Sequence, residues 1–109
     1  MRYNIATQFT RTPGPRYRTD DPRFSGEAFR EDVLIPLFDR TVADNDKLEI
    51  DLDGGYGYSS SFLDEAFGGL ARKRGVRRVL DRLTFKSTED YYLANDIVNL
   101  IKKNKELAA

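Results

Sequence analysis

Near the start of the chain Tyr3, Ile5, Thr7 and Phe9 alternate with Asn4, Ala6 and Gln8, a period of two that predicts a strand. Residues 11–24 hold Pro13, Gly14, Pro15 and Pro22 and read as a loop or an irregular hairpin. Ser25 is placed to cap a helix over about 26–43, with Glu27 and Glu31 near its positive end. Phe29, Val33, Leu37 and Phe38 share one face of that helix, and Pro36 predicts a kink or break near 32–35. From 47 to 53 the alternation is clean: Leu48, Ile50 and Leu52 point one way, Glu49, Asp51 and Asp53 the other. A strand covered on both faces would be almost wholly apolar. This one therefore predicts helices on one face of the sheet, with Asp51 and Asp53 on the solvated side.

Gly54 to Tyr58 reads as a glycine-rich turn. A helix over about 60–74 follows, burying Phe62, Leu63, Ala66, Phe67, Leu70 and Ala71, with Gly75 as its C-terminal cap. Within it, Gly68-Gly69 predicts close packing on a neighbouring element. A third strand is expected over about 79–85. Ser87 with Asp90 has the spacing of a capping box for a last helix, expected to run to about Glu106. That helix would pack Leu93, Ala94, Ile97, Val98 and Ile101. The order β-α-β-α-β-α implies parallel neighbouring strands. The expected core sets Leu48, Ile50 and Leu52 against Phe29, Leu37, Phe67, Leu70, Ile97 and Ile101.

Composition narrows the function. The 109 residues suit a single domain over 1–109, large enough to fold without cross-links. There is no cysteine and no histidine. Disulfides, thiol catalysis, imidazole bases and His-ligated metals are thereby excluded. With 18 basic and 18 acidic residues there is no global bias toward nucleic acid or anionic membrane. The first residues lack the apolar core of a signal peptide, and no apolar run could span a bilayer, so a cytoplasmic location is expected.

The candidate chemistry centres on 51–61, which joins a strand to a helix through three glycines and ends in Ser59, Ser60 and Ser61. One reading is a tight turn with Ser59 or Ser60 as the N-cap. A second is a phosphate cradle, although the loop has neither the P-loop lysine nor the dinucleotide fingerprint. A third is a serine that is itself phosphorylated at the positive end of a helix. Asp51 and Asp53, with Asp64 and Glu65 nearby, could also form a metal or acid–base pair, but strand alternation favours two solvated acids. The basic run Arg72 to Arg78 suits the negative end of a helix better than a nucleic-acid patch. Loop arginines Arg16, Arg18 and Arg23 could clamp Asp51 or Asp53, or hold an anion. No cofactor and no metal is expected.

Two stretches carry a resemblance. They are Leu48-Glu-Ile-Asp-Leu-Asp-Gly, and Tyr58-Ser-Ser-Ser-Phe-Leu-Asp-Glu-Ala-Phe-Gly-Gly-Leu70, supported upstream by Pro13-Gly-Pro-Arg-Tyr-Arg and Ser25-Gly-Glu-Ala-Phe-Arg-Glu. They resemble a STAS-like bacterial family of unknown function, related to anti-anti-sigma factors and to the cytoplasmic domains of sulfate transporters. The resemblance implies a compact STAS-like α/β domain, with a small mixed or mainly parallel sheet and helices mainly on one face. It implies a non-catalytic, protein-interaction role in signalling, with a histidine-kinase-like ATPase as partner. In anti-anti-sigma factors the second serine of an Asp-Ser-Ser-Gly loop is phosphorylated, and Ser60 matches it, with Ser61 at the glycine position. Tyr58 or Ser59 stands where the preceding acid would be. Ser60 and Ser61 are therefore the expected switch residues, and Asp53, Tyr58 and Arg16 the expected partner or anion contacts. The alternative is a small enzyme, or a ligand- or metal-binding domain, using Asp51, Asp53 and the glycine-rich loop.

Overall fold

The computed structural model describes residues 1–104. Three short strands, β1 (Arg2–Asn4), β2 (Leu48–Asp51) and β3 (Leu83–Lys86), form a parallel sheet in the order β1-β2-β3. Tyr3, Ile50 and Phe85 lie in one row across it, and Asn4, Asp51 and Lys86 in another. The first row faces helices. Leu48 and Ile50 are fully buried, while Arg2, Glu49 and Lys86 on the opposite face are substantially exposed. The one-sided cover read from β2 is therefore the architecture.

β1 is shorter than its alternation predicts. Chain 5–8 is helical, forming α1 (Ile5–Gln8), because Asn4 caps it: its Oδ1 accepts the Thr7 N–H at 2.8 Å. Residues 11–24 form the expected loop. Ser25 then caps the next helix, its Oγ accepting the Ala28 N–H at 3.0 Å. That helical run comprises α2 (Gly26–Phe29), a π turn (Arg30–Leu34) and α3 (Ile35–Ala43). Pro36 has no N–H and crowds the carbonyl four residues back. The chain adapts by widening the preceding turn: the Ile35 N–H donates to the Arg30 carbonyl, and the backbone keeps helical dihedrals. The irregularity falls where Pro36 places it, but the helix does not break.

The second long helix has the same construction, with α4 (Ser60–Leu63), a π turn (Asp64–Gly68) and α5 (Gly69–Arg74). Gly75, at φ 98°, caps it and starts α6 (Val76–Arg82). The strand expected over about 79–85 is thus helical up to Arg82. Ser87 and Asp90 do not form a capping box. The Ser87 hydroxyl donates to the Asp90 carbonyl at 2.5 Å, and α7 (Leu93–Lys102) begins later, without a side-chain cap. The expected helical stretch beyond 104 lies outside the described residues.

Close approach between helices explains two glycines. A Cβ on Gly26 would sit 2.6 Å from the Phe62 carbonyl oxygen, so α2 and α4 meet backbone to backbone. A Cβ on Gly69 would sit 2.6 Å from Arg30 Nη1. Phe29, Phe67, Leu70, Ile97 and Ile101 are fully buried in the core as expected, but Leu37 is only half-buried and Phe38 takes the interior position. Among the described residues, no helix is long and apolar enough to cross a membrane.

Candidate functional site

The carboxyl ends of β2 and β3 lead into two loops that bind each other. Asp53 Oδ1 accepts the N–H groups of Thr88 (2.9 Å) and Glu89 (3.0 Å), and its Oδ2 accepts the Thr88 hydroxyl at 2.6 Å. Those bonds hold the Asp53 carboxyl below its usual pKa. The Gly54 N–H returns the link, donating to Glu89 Oε1 at 2.6 Å. Gly54 and Gly57 lie at φ 94° and 127°, which glycine adopts without strain. Tyr58 closes the turn. Its hydroxyl donates to the Leu52 carbonyl at 3.1 Å and its ring packs on Phe62. Burial, together with the carboxylates of Asp51, Asp53 and Glu89, pushes that phenol's pKa up.

The three serines differ in role. Ser59 is the N-cap, its Oγ accepting the Phe62 N–H at 3.1 Å. Ser60 is exposed and Ser61 half-buried. Among the described residues, neither of these two side-chain hydroxyls has a hydrogen-bond partner. The structural duty of the serine run thus falls on Ser59, and Ser60 and Ser61 stand in the first helical turn with hydroxyls unengaged.

Asp51 is not on a solvated surface as its strand position suggests. It is 6% exposed, roofed by Arg2, whose Nη2 donates to Oδ2 at 2.7 Å, with Lys86 at 3.9 Å. Its other oxygen accepts the Asp53 N–H at 3.0 Å. Burial works to raise the Asp51 pKa, but Arg2 and the Asp53 amide outweigh it and the net shift is downward. Asp51 and Asp53 are thus joined through the Asp53 amide, and their carboxylates are taken up by structural bonds, Asp51 by Arg2 and Asp53 by Thr88 and Glu89.

Two of the three loop arginines clamp different acids from those expected, and Arg23 lies over the Phe24 ring. Arg16 Nη1 reaches Asp64 at 3.0 Å and Glu65 at 3.4 Å, and Arg18 Nη2 reaches Asp32 at 2.6 Å. Asp64 also pairs with Lys103 at 3.0 Å. Burial pushes the Asp64 pKa up, and these two cations more than reverse it. Beneath Arg16 lies a buried pair that the sequence reading missed: Arg30 Nη1 binds both the side chain and the backbone carbonyl of Glu65, tying the two π turns together.

A pH dependence follows. Asp51, Asp53 and Asp64 have native pKa values below their unfolded ones, so each stabilises the fold above the unfolded value. That contribution is lost as pH falls through the native values. Urea midpoints are expected to hold near neutrality and drop progressively below about pH 4. A midpoint that rises on acidification would contradict these pairings.

Between the glycine loop and α7 runs a groove of 560 Å³. Tyr56, Tyr58 and Ser60 line one side, and Asp90, Tyr92 and Asp96 the other. Sequence reasoning singled out Ser60 and Tyr58 but missed Tyr56, Asp90, Tyr92 and Asp96. The available signal was the adjacent pair Tyr91-Tyr92 at a helix start, both rings exposed. Ser61 and Arg16 lie outside the groove lining. Among the described residues, no cluster of acids could hold a metal ion.

A small parallel sheet with helices on one face, and a serine-bearing turn opening a helix beside a groove, define an α/β module of STAS-like type. The chain belongs to the family described as a STAS-like domain of unknown function (DUF4325), which it matches over residues 25–93. The match runs from the Ser25 cap to the start of α7 and includes the whole glycine–serine turn. No curated protein and no solved structure matches the chain.

Proposed function

We propose that this chain is a non-catalytic protein-interaction module of bacterial signalling. In this reading it works in the cytoplasm and is switched by phosphorylation of Ser60, or secondarily Ser61, by a histidine-kinase-like ATPase partner. The observation that carries the proposal is the division of labour among the serines. Ser59 holds the helix start, so Ser60 and Ser61 can be modified without loss of the cap. In the transfer, Ser60 Oγ attacks the γ-phosphorus of ATP, the bond to ADP oxygen breaks, and the hydroxyl proton passes to the kinase. The product places almost two negative charges at the positive end of a helix, where they are tolerated, and in a region already rich in carboxylates. The modification would then change the surface field more than the fold. Asp53 shapes that field and positions the turn. The enzyme alternative is less favoured, because the oxygens of Asp51 and Asp53 already accept bonds from Arg2, Thr88 and backbone amides.

The test uses the chain purified from its native cells, with phosphosites and bound partners read by mass spectrometry. Wild type is compared with Ser60→Asp and Ser61→Asp. We expect phosphate on one serine and altered partner lists in the matching variant. Ser60→Asp should leave stability within about 1 kcal/mol, as an exposed substitution does. Identical partner lists and no phosphate on either residue would remove the switch.

A further inference from the structure

The chain has no net charge, yet its charges are unevenly placed around the groove. Neither 48–71 nor 87–101 contains a lysine or arginine, and these segments supply every residue of its lining. The charged residues of that lining are Asp90 and Asp96. Glu89 and Asp53 stand in the adjoining loops. Among the described residues, none of these four carboxylates has a cationic partner within salt-bridge distance. This is unlike Asp51, Asp64 and Glu65, whose charges arginine and lysine already meet. Tyr58, in the same lining, has its ionisation opposed first by burial and then by the carboxylates of Asp51, Asp53 and Glu89.

The walls are aromatic as well as acidic. Tyr56 is 84% exposed and Tyr92 52% exposed. Large rings left in water beside unpaired carboxylates form a surface complementary to one ligand chemistry. A guanidinium or ammonium group can lie over a tyrosine face while donating to a carboxylate.

We propose that the groove takes an arginine or lysine side chain from an extended basic segment of a partner protein, stacked on Tyr56 and Tyr92 and paired with Asp90 and Asp96. This rests on the interaction-module reading and names the chemistry of the partner it requires. Ser60 lines the same groove, so its phosphorylation would add negative charge and tighten the hold on such a segment.

The experiment uses the unphosphorylated full chain, isotopically labelled, titrated by nuclear magnetic resonance with a glycine–arginine peptide. Control arms are the same peptide with glutamine for arginine, and spermidine. We expect amide shifts centred on Tyr56, Gly57, Ser60, Tyr92 and Asp96, absent with the glutamine peptide. Asp96→Asn should weaken binding about tenfold, the loss of one charge-assisted hydrogen bond. Shifts spread evenly over all acidic surfaces, equal binding of the glutamine peptide, or no effect of Asp96→Asn would each overturn the proposal. Spermidine binding as tightly as the peptide, at the same residues, would make the ligand a small polyamine and overturn the protein-segment assignment. Sedimentation that grows heavier with concentration and is reversed by the peptide would make the occupant a second copy of this chain, which also overturns it. Because no kinase takes part, failure here leaves the serine switch standing, and absence of phosphate on Ser60 leaves this site standing.

Discussion

Phe67→Ala is expected to destabilise the fold by about 3–5 kcal/mol, the range for emptying a buried aromatic site. Phe67 is fully buried in the π turn of the second long helix. Its ring meets Phe85 of β3 at 5.5 Å between centroids and Phe29 of α2 at 6.1 Å, both edge-on. One side chain thus joins the sheet to both long helices, and neither neighbour can fill the space by a simple rotamer change in a packed interior. Urea unfolding is the measurement, read as a lowered midpoint with an unchanged slope. A loss below about 1 kcal/mol would mean that the helix carries a different face inward.

Cutting the Arg30–Glu65 link should have a comparable effect. Arg30 is 6% exposed and Glu65 9% exposed, so removing either leaves a charge with little access to water. Arg30 keeps Glu31 Oε1 at 2.9 Å, so Glu65→Ala is expected to cost about 3 kcal/mol, the low end of the range for removing one partner of a buried pair. Glu65→Gln keeps a side-chain oxygen acceptor for Arg30 that Glu65→Ala removes, so its cost should be smaller. The double replacement Arg30→Met with Glu65→Leu removes both charges together and should cost less than Glu65→Ala alone. A double variant whose loss equals the sum of the two single losses would show that the residues do not interact.

The places where sequence pattern and structure part company have local physical causes. Ile5 and Phe9 are four residues apart, a spacing that serves a helix as well as a strand, and the Asn4 cap decides for the helix. Val79 favours a strand, yet Gly75 restarts the chain as a helix that buries Val76 and Val79 three apart. The capping spacing at Ser87 is overridden by Asp53, which takes the Thr88 and Glu89 amides from 35 and 36 positions away. Asp51 looks solvated by alternation because pattern cannot show that Arg2 and Lys86 fold over it. By contrast Ser25, the one-sided β2, the glycine turn and the serines at its end are all legible, since each depends on near neighbours. The groove is a meeting of 56–63 with 90–100, and only its Tyr58 and Ser60 side is marked by local motif.

The parallel sheet also sets the order of assembly. Among the described residues no two strands are joined by a hairpin: Arg2 meets Asp51 across 49 positions, and Asp53 meets Thr88 across 35. Helices can form locally within about a microsecond, whereas each strand pairing first requires closure of a long loop. During synthesis β1 is made before β2, and both α2 and α3 are made between them. Phe29 of α2, whose ring lies 6.0 Å from that of Tyr3, is therefore on hand to cover the inner face of β1 before any strand pairs with it. What β1 lacks until β2 is made is a partner for its backbone N–H and C=O groups, and it is that open edge, rather than an apolar face, that a chaperone would find to hold.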